Sequence, residues 1–198
     1  MIFSETAIFL LIAIVLIFLG AFRASWPGAS GDKMTYKQVP IWDFRSVDTV
    51  KYSRDLADQM LENPQFDMVI DKQSADIASL GASHVAISTP YDSKYLPFLK
   101  RWVKTARLYG LKVWFRGNFS GWEKWFNYQS IGREEHKKLL KEFLDNNPDL
   151  FEDGDIFTSC PECENGGSGD PRNSGDVTGF REFLIDEYKI SEEAFSKM

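Results

Sequence analysis

The sequence predicts an α/β fold: four β/α units of a TIM-type barrel, as a half-barrel or a fragment, preceded by an N-terminal transmembrane helix. Three observations predict it. Short apolar runs alternate with amphipathic runs of helical period from position 49 onward, the signature of a parallel sheet with crossover helices. Polar and aromatic groups gather just after each apolar run, where parallel α/β proteins place their chemistry. Ahead of this series, Ala7 to Phe22 is apolar without a break.

That first segment of sixteen residues gives roughly 24 Å of helix. Thr6 and the Ile2–Phe3 pair extend it toward the roughly 30 Å hydrocarbon core. Its start carries Glu5 and no Lys or Arg, and Phe22 stands at the -3 position of Ala24, so a cleavable signal is the weaker reading. Residues 1–24 are therefore expected to be a single-pass membrane anchor. Arg23, Lys33 and Lys37 all follow the helix, which by the positive-inside rule favours a cytoplasmic carboxyl side. The chemistry gathered at the strand ends favours an extracytoplasmic domain instead, and the two signals conflict. Residues 25–48, opening with the Pro/Gly/Ser-rich stretch Ser25 to Lys33, read as linker and lead-in.

The domain is expected over 49–198. Thr49 to Ser53 reads as the first strand, Leu56 to Leu61 as a short helical piece, and Asp67 to Leu80 as a helix stopped by Gly81. His84 to Ser88 is a buried-type strand, followed by the helix Tyr95 to Tyr109 with Gly110 behind it. Leu111 to Phe115 is the third strand, running into Arg116-Gly-Asn118 and an aromatic loop, Phe119 to Tyr128. A third helix, Arg133 to Asn146, closes at Asn147-Pro148. Ile156 to Ser159 is the fourth strand and Val177 to Tyr188 the fourth helix. A doubly wound sheet also fits such a series, but the Gly-rich phosphate fingerprint after the first strand is missing, and polar groups at every strand end suit a barrel mouth. Four units are half of a typical barrel, so a missing half or a second copy of the chain is the expected partner.

Composition narrows the function. A net charge of -6 and a pI of about 5.0 without a basic cluster argue against nucleic acid as the partner. With only two cysteines no disulfide framework is expected. Cys160-Pro-Glu-Cys163 supplies at most two zinc ligands, and Pro161 and the Gly-rich tail do not open a redox helix, so no metal or cofactor is assigned. The acids around it also permit a Ca²⁺ or Mg²⁺ site as a weaker reading.

The chemistry concentrates at the fourth strand end, where Glu162 and Glu164 stand two residues apart beside Asn165. Mutual repulsion of two carboxylates raises the pKa of one, as a general acid requires. Arg116 and Asn118 leave the third strand together and suit substrate hydroxyls or a carboxylate. Trp122 and Trp125 are the candidate stacking platform for a sugar face, with Trp114 assigned to the core. Tyr91 and Asp92 follow the second strand as further binding candidates. His84 reads as structural and His136 as a solvated residue on a charged helix face. Asn118-Phe-Ser120 also matches a glycosylation sequon.

This strand-end pattern resembles the amino-terminal half of the clan A glycoside hydrolases: polar ends on the first two strands, Arg and Asn after the third, and an acidic end on the fourth. The resemblance covers about Thr49 to Tyr188. It implies a β/α barrel and a carbohydrate substrate, with Glu162 as the general acid/base. Pro161 stands where that clan carries Asn, and the seventh strand that supplies the clan's nucleophile has no counterpart here. The implied function is hydrolysis of glycosidic bonds, incomplete in this chain; the alternative is a non-catalytic, membrane-anchored carbohydrate-binding or envelope scaffold protein.

Overall fold

The computed structural model divides the chain into two units, Met1–Ile41 and Trp42–Met198, and describes residues 44–164 and 170–198, all in the second. Four parallel strands form one sheet in the order β1-β2-β3-β4: β1 Ser46–Asp48, β2 His84–Ile87, β3 Lys112–Phe115 and β4 Ile156–Phe157. Between them run α1 Val50–Ser53, α2 Ala57–Met60 and α3 Asp67–Ser79, then α4 Leu96–Leu108, then α5 Ser120–Glu123 and α6 Arg133–Asn146; α7 Pro171–Ser174 and α8 Val177–Phe195 follow.

Strand alternation builds the core. Val47, Val85 and Val113 form one row across the sheet and Ile87, Phe115 and Phe157 another on the same face. Leu99, Trp102, Val103 and Ala106 of α4 join them, with Ile70 and Ile77 of α3 and Leu140, Phe143 and Leu144 of α6. The opposite face carries Asp48, Ala86, Trp114 and Ile156 in register. Phe44 lies over it, 4.6 Å from the His84 ring and 5.8 Å from Trp114. Asp155 locks the entry to β4: its buried carboxylate accepts N–H bonds from Val113 (2.8 Å) and Glu152 (2.9 Å) and pairs with Arg107 (2.9 Å). Arg101 of α4 donates to the carbonyls of Met60, Leu61 and Asn63 and so ties the turn between α2 and α3 to α4.

Helix ends follow local chemistry. Asn63 accepts from the Gln65 N–H ahead of Pro64 and starts the turn into α3; Gly81 at φ +73° stands past the end of that helix. The first strand lies earlier than the sequence suggests. Asp48 accepts the Val50 N–H at 2.7 Å, and Thr49 Oγ1 donates to the Ala86 carbonyl at 2.7 Å. These side-chain-to-backbone bonds turn the chain at Thr49, and Val50–Ser53 becomes a helical turn despite its β-branched start. The strand therefore sits inside the expected lead-in.

Two larger expectations are corrected. The described residues form an open four-stranded parallel sheet with β1 and β4 at its ends, so the fold is mixed α/β and not a barrel behind a membrane helix. The expected anchor over 1–24 lies outside the described residues, and no helix among the described residues is long and apolar enough to cross a membrane. Even α8, at nineteen residues, carries Arg181, Glu182, Asp186, Glu187, Lys189, Glu192 and Glu193 along its length. The single-pass localisation drawn from the anchor is accordingly withdrawn, and with it the placement of the domain on one side of a membrane.

Candidate active site

All four strands deliver polar groups to one end of the sheet. Asp48 ends β1, and Arg54 follows α1. Ser88 leaves β2 with its N–H donated to Ser53 Oγ at 3.0 Å. Arg116, Gly117 and Asn118 leave β3 and lead into α5, whose last residue is Glu123. Beyond β4 comes the Cys160–Cys163 loop. Val50, Arg54, Ser88, Arg116, Glu123, Trp125, Pro161 and Glu162 line a cleft of about 230 Å³ there.

Charge in the cleft is arranged around two guanidinium groups. Arg116 pairs with Asp48 through Nη1 and with Glu162 through Nη2 at 3.1 Å, while its guanidinium lies 5.5 Å above the Trp114 ring. Arg54 lies 4.8 Å over the Trp125 ring. The half-buried Glu123 accepts the Asn118 Nδ2–H at 2.8 Å. Its carboxyl is pushed up to about 6, first by burial and then by the negative charges of Glu162 and Glu164; Asn118 and Arg54 pull the other way. The cleft thus holds one carboxyl raised to about 6 by burial and a second carboxyl, Glu162, paired with arginine.

The loop bearing Glu162 is closed by a disulfide between Cys160 and Cys163, with Cα atoms 5.3 Å apart. Both cysteines are buried against Trp122 and Phe183, and Asn118 Nδ2 reaches Cys160 Sγ at 3.5 Å. The sequence assigns this pair neither metal nor redox chemistry; in the structure it is one local bridge across a four-residue loop. Inside the loop Glu162 adopts φ +54°, a left-handed conformation that costs a non-glycine residue about 1 kcal/mol. Closing so short a loop stabilises by about 2 kcal/mol on chain-entropy grounds. Reduction with dithiothreitol is expected to remove about that much stability, measured as the difference in urea midpoint between oxidised and reduced protein, and to release Glu162 from its strained geometry. Equal midpoints for the two forms would show that the loop is held by its packing alone.

The other sequence candidates divide. Arg116, Trp125 and Glu162 meet in the cleft. Glu164 is exposed, acts on Glu123 through its charge, and its carbonyl accepts from Arg172. Trp122 is wholly buried, stacked on Phe183 at 4.9 Å and 16°, and offers no face to a ligand. Tyr91 is a core residue whose hydroxyl donates to the Thr158 carbonyl and accepts from the Gly117 N–H. Asp92 accepts from the Ser120 N–H and hydroxyl and so fixes the start of α5. Asn118 is fully buried beneath the cleft with its Nδ2 committed to Glu123, so the folded state leaves no space for a glycan on it. Asn165 lies outside the described residues.

Two residues escaped the sequence reading. Glu123 stands five residues after Asn118 at the third strand end, among aromatics that carry no pattern to single it out. His136 is not solvated: it is wholly buried on α6, between Phe119, Trp122 and Phe183. Its spacing to Leu140 and Phe143 placed it on the apolar stripe of that helix. Comparisons with protein-family models, with curated proteins and with solved structures gave no match.

Proposed function

We propose that the chain is a carbohydrate-active enzyme that hydrolyses glycosidic bonds, with Glu123 as the proton donor and Glu162 as the second carboxylate. The observation that carries this is the Glu123 carboxyl, held at about 6 in a cleft it shares with Glu162. Glycoside hydrolysis uses two carboxyl groups in unequal environments, one of them protonated at working pH. Burial supplies the inequality here. Arg54 and Arg116 offer planar donors to hydroxyls or to an acidic sugar, and Trp125 offers an indole at the rim of the cleft. Relative to the sequence reading, the acid moves from Glu162 to Glu123, because Glu162 is exposed and ion-paired whereas Glu123 is half-buried.

The test is turnover of a panel of oligosaccharides and aryl glycosides by the full chain, beside Glu123→Gln and Glu162→Gln. Release of reducing ends by the wild type, lost in both variants, supports the reading. Saturable binding of the same sugars without release would place the chain among carbohydrate-binding proteins instead, and absence of both binding and release would overturn the carbohydrate reading.

A further inference from the structure

Behind Glu123 a file of buried groups runs into the core. Asn118 donates from Nδ2 to Glu123 at 2.8 Å; its Oδ1 accepts the Phe119 N–H at 2.8 Å and lies 2.8 Å from His136 Nε2. His136 Nδ1 lies 3.0 Å from Glu187 Oε1 of α8. Asn118 and His136 are fully buried and Glu187 is 1% exposed.

Donor and acceptor roles along the file are forced. Turning the Asn118 amide over would set its NH₂ against the Phe119 N–H, so Oδ1 must face inward and Nδ2 must face Glu123. An oxygen toward His136 requires the imidazole to carry a proton on Nε2. Nδ1 and Glu187 then share the one proton between them. Removing either partner of such a buried pair strands the other, yet the second Glu187 oxygen, Oε2, has no hydrogen-bond partner among the described residues. A pair kept for stability alone would be cheaper as two apolar side chains, since Phe119, Trp122 and Phe183 already surround the ring.

We propose that His136 and Glu187 are positioning residues which, through Asn118, keep an N–H aimed at the Glu123 carboxyl. The proposal rests on Glu123 being the proton donor of the cleft. It gives Glu123 a fixed hydrogen bond to its charged form, set from the core and independent of what occupies the cleft. The other charges acting on Glu123 are Arg54, Glu162 and Glu164, with Arg116 across the cleft; among the described residues the charged partner of the His136 ring is Glu187.

The experiment is an NMR titration of the Glu123 side-chain carboxyl carbon in the full chain and in three variants. Asn118→Ala removes the donor, and the Glu123 midpoint is expected to rise from about 6 to about 7. Glu187→Ala frees Nδ1 and lets the ring turn away from Asn118 Oδ1, which the Phe119 N–H then holds alone; the midpoint is expected to rise in the same direction but by less than in Asn118→Ala. Glu187→Gln can donate an amide N–H to Nδ1, preserve the Nε2–H, and is expected to restore the wild-type midpoint. A purely structural role predicts that Glu187→Ala and Glu187→Gln leave the midpoint alone whatever they do to stability, which would overturn the proposal. Should the variants not fold, the ¹⁵N shifts of His136 in the wild type decide: a proton on Nε2 supports the file, and a bare Nε2 sinks it. None of these measurements needs a substrate. A chain that hydrolyses no glycoside but shows these shifts would lose the proposed function and keep the hydrogen bond that the file sets on Glu123.

Discussion

Gly117→Ala is expected to destabilise the protein by about 3 kcal/mol, the cost of forcing a methyl into a packed site whose neighbours cannot yield. A Cβ at Gly117 would collide with the backbone carbonyl oxygen of Thr89 and stand 2.7 Å from Cε1 and 3.0 Å from Cδ1 of Tyr91. Neither obstacle is a flexible chain end. Thr89 is tied down by its hydroxyl, which donates to the Ser53 carbonyl at 2.7 Å. The Tyr91 ring packs against both Phe143 at 4.6 Å and Phe157 at 5.4 Å, and its hydroxyl bridges Gly117 and Thr158. The backbone at the end of β3 must therefore shift, and it carries Arg116 on one side of Gly117 and Asn118 on the other. At 2–4 °C per kcal/mol for a domain of this size, the melting temperature is expected to fall by about 10 °C. Gly110→Ala is the control. It also lies at a strand–helix junction, but a Cβ there meets nothing within 4 Å and the strain comes only from φ +71°. It is expected to cost about 1 kcal/mol. Equal losses for the two variants in urea melts would refute the steric account of Gly117.

What the sequence made legible was the part governed by periodicity. The helices expected over 67–80, 95–109 and 133–146 end within a residue of α3, α4 and α6, because apolar spacing, Gly81, Gly110 and Pro148 all act locally. The first strand was misplaced because an Asx-type turn at Asp48 outweighed the β propensity of Val50 and Tyr52. The site was half legible for a similar reason. Strand ends pointed to Arg116 and Glu162, whose placement depends on the chain direction alone. Trp122 and Trp125 are three residues apart and were treated alike, yet the helical turn of α5 rotates Trp122 inward. The left-handed Lys124, at φ 58°, then turns the chain so that Trp125 reaches the cleft. Glu123 differs from its acidic neighbours only in burial, and burial arises from long-range packing that a single sequence does not display. His136 and Glu187 each lie on an apolar helical stripe, so their burial was readable; their pairing across 51 residues was not.

Glu123→Gln is the substitution with the largest expected effect on activity, and it is also expected to stabilise the protein. The amide keeps the shape of the side chain and can still accept the Asn118 N–H, but it cannot deliver a proton. Loss of a positioned general acid lowers turnover by about 10²- to 10⁴-fold. With the acid at about 6, wild-type turnover should decline as pH rises above that value, and the variant should lose that limb of its profile. Stability follows from linkage. The folded carboxyl sits above its ordinary 4.5, so between about 4.5 and 6 the folded state holds more protons than the unfolded state. Stability therefore falls as pH rises through that window, and the full cost persists above it. Because the group is only half-buried, solvent screening reduces the cost to about 1 kcal/mol. Glu123→Gln removes it: the variant should match the wild type near pH 4 and exceed it by about 1 kcal/mol at pH 8, read from urea midpoints at both pH values. A variant that is inactive and also less stable at pH 8 would mean that Glu123 serves the fold as an ion-pair partner of Arg54, and the assignment of the proton donor would fall with it.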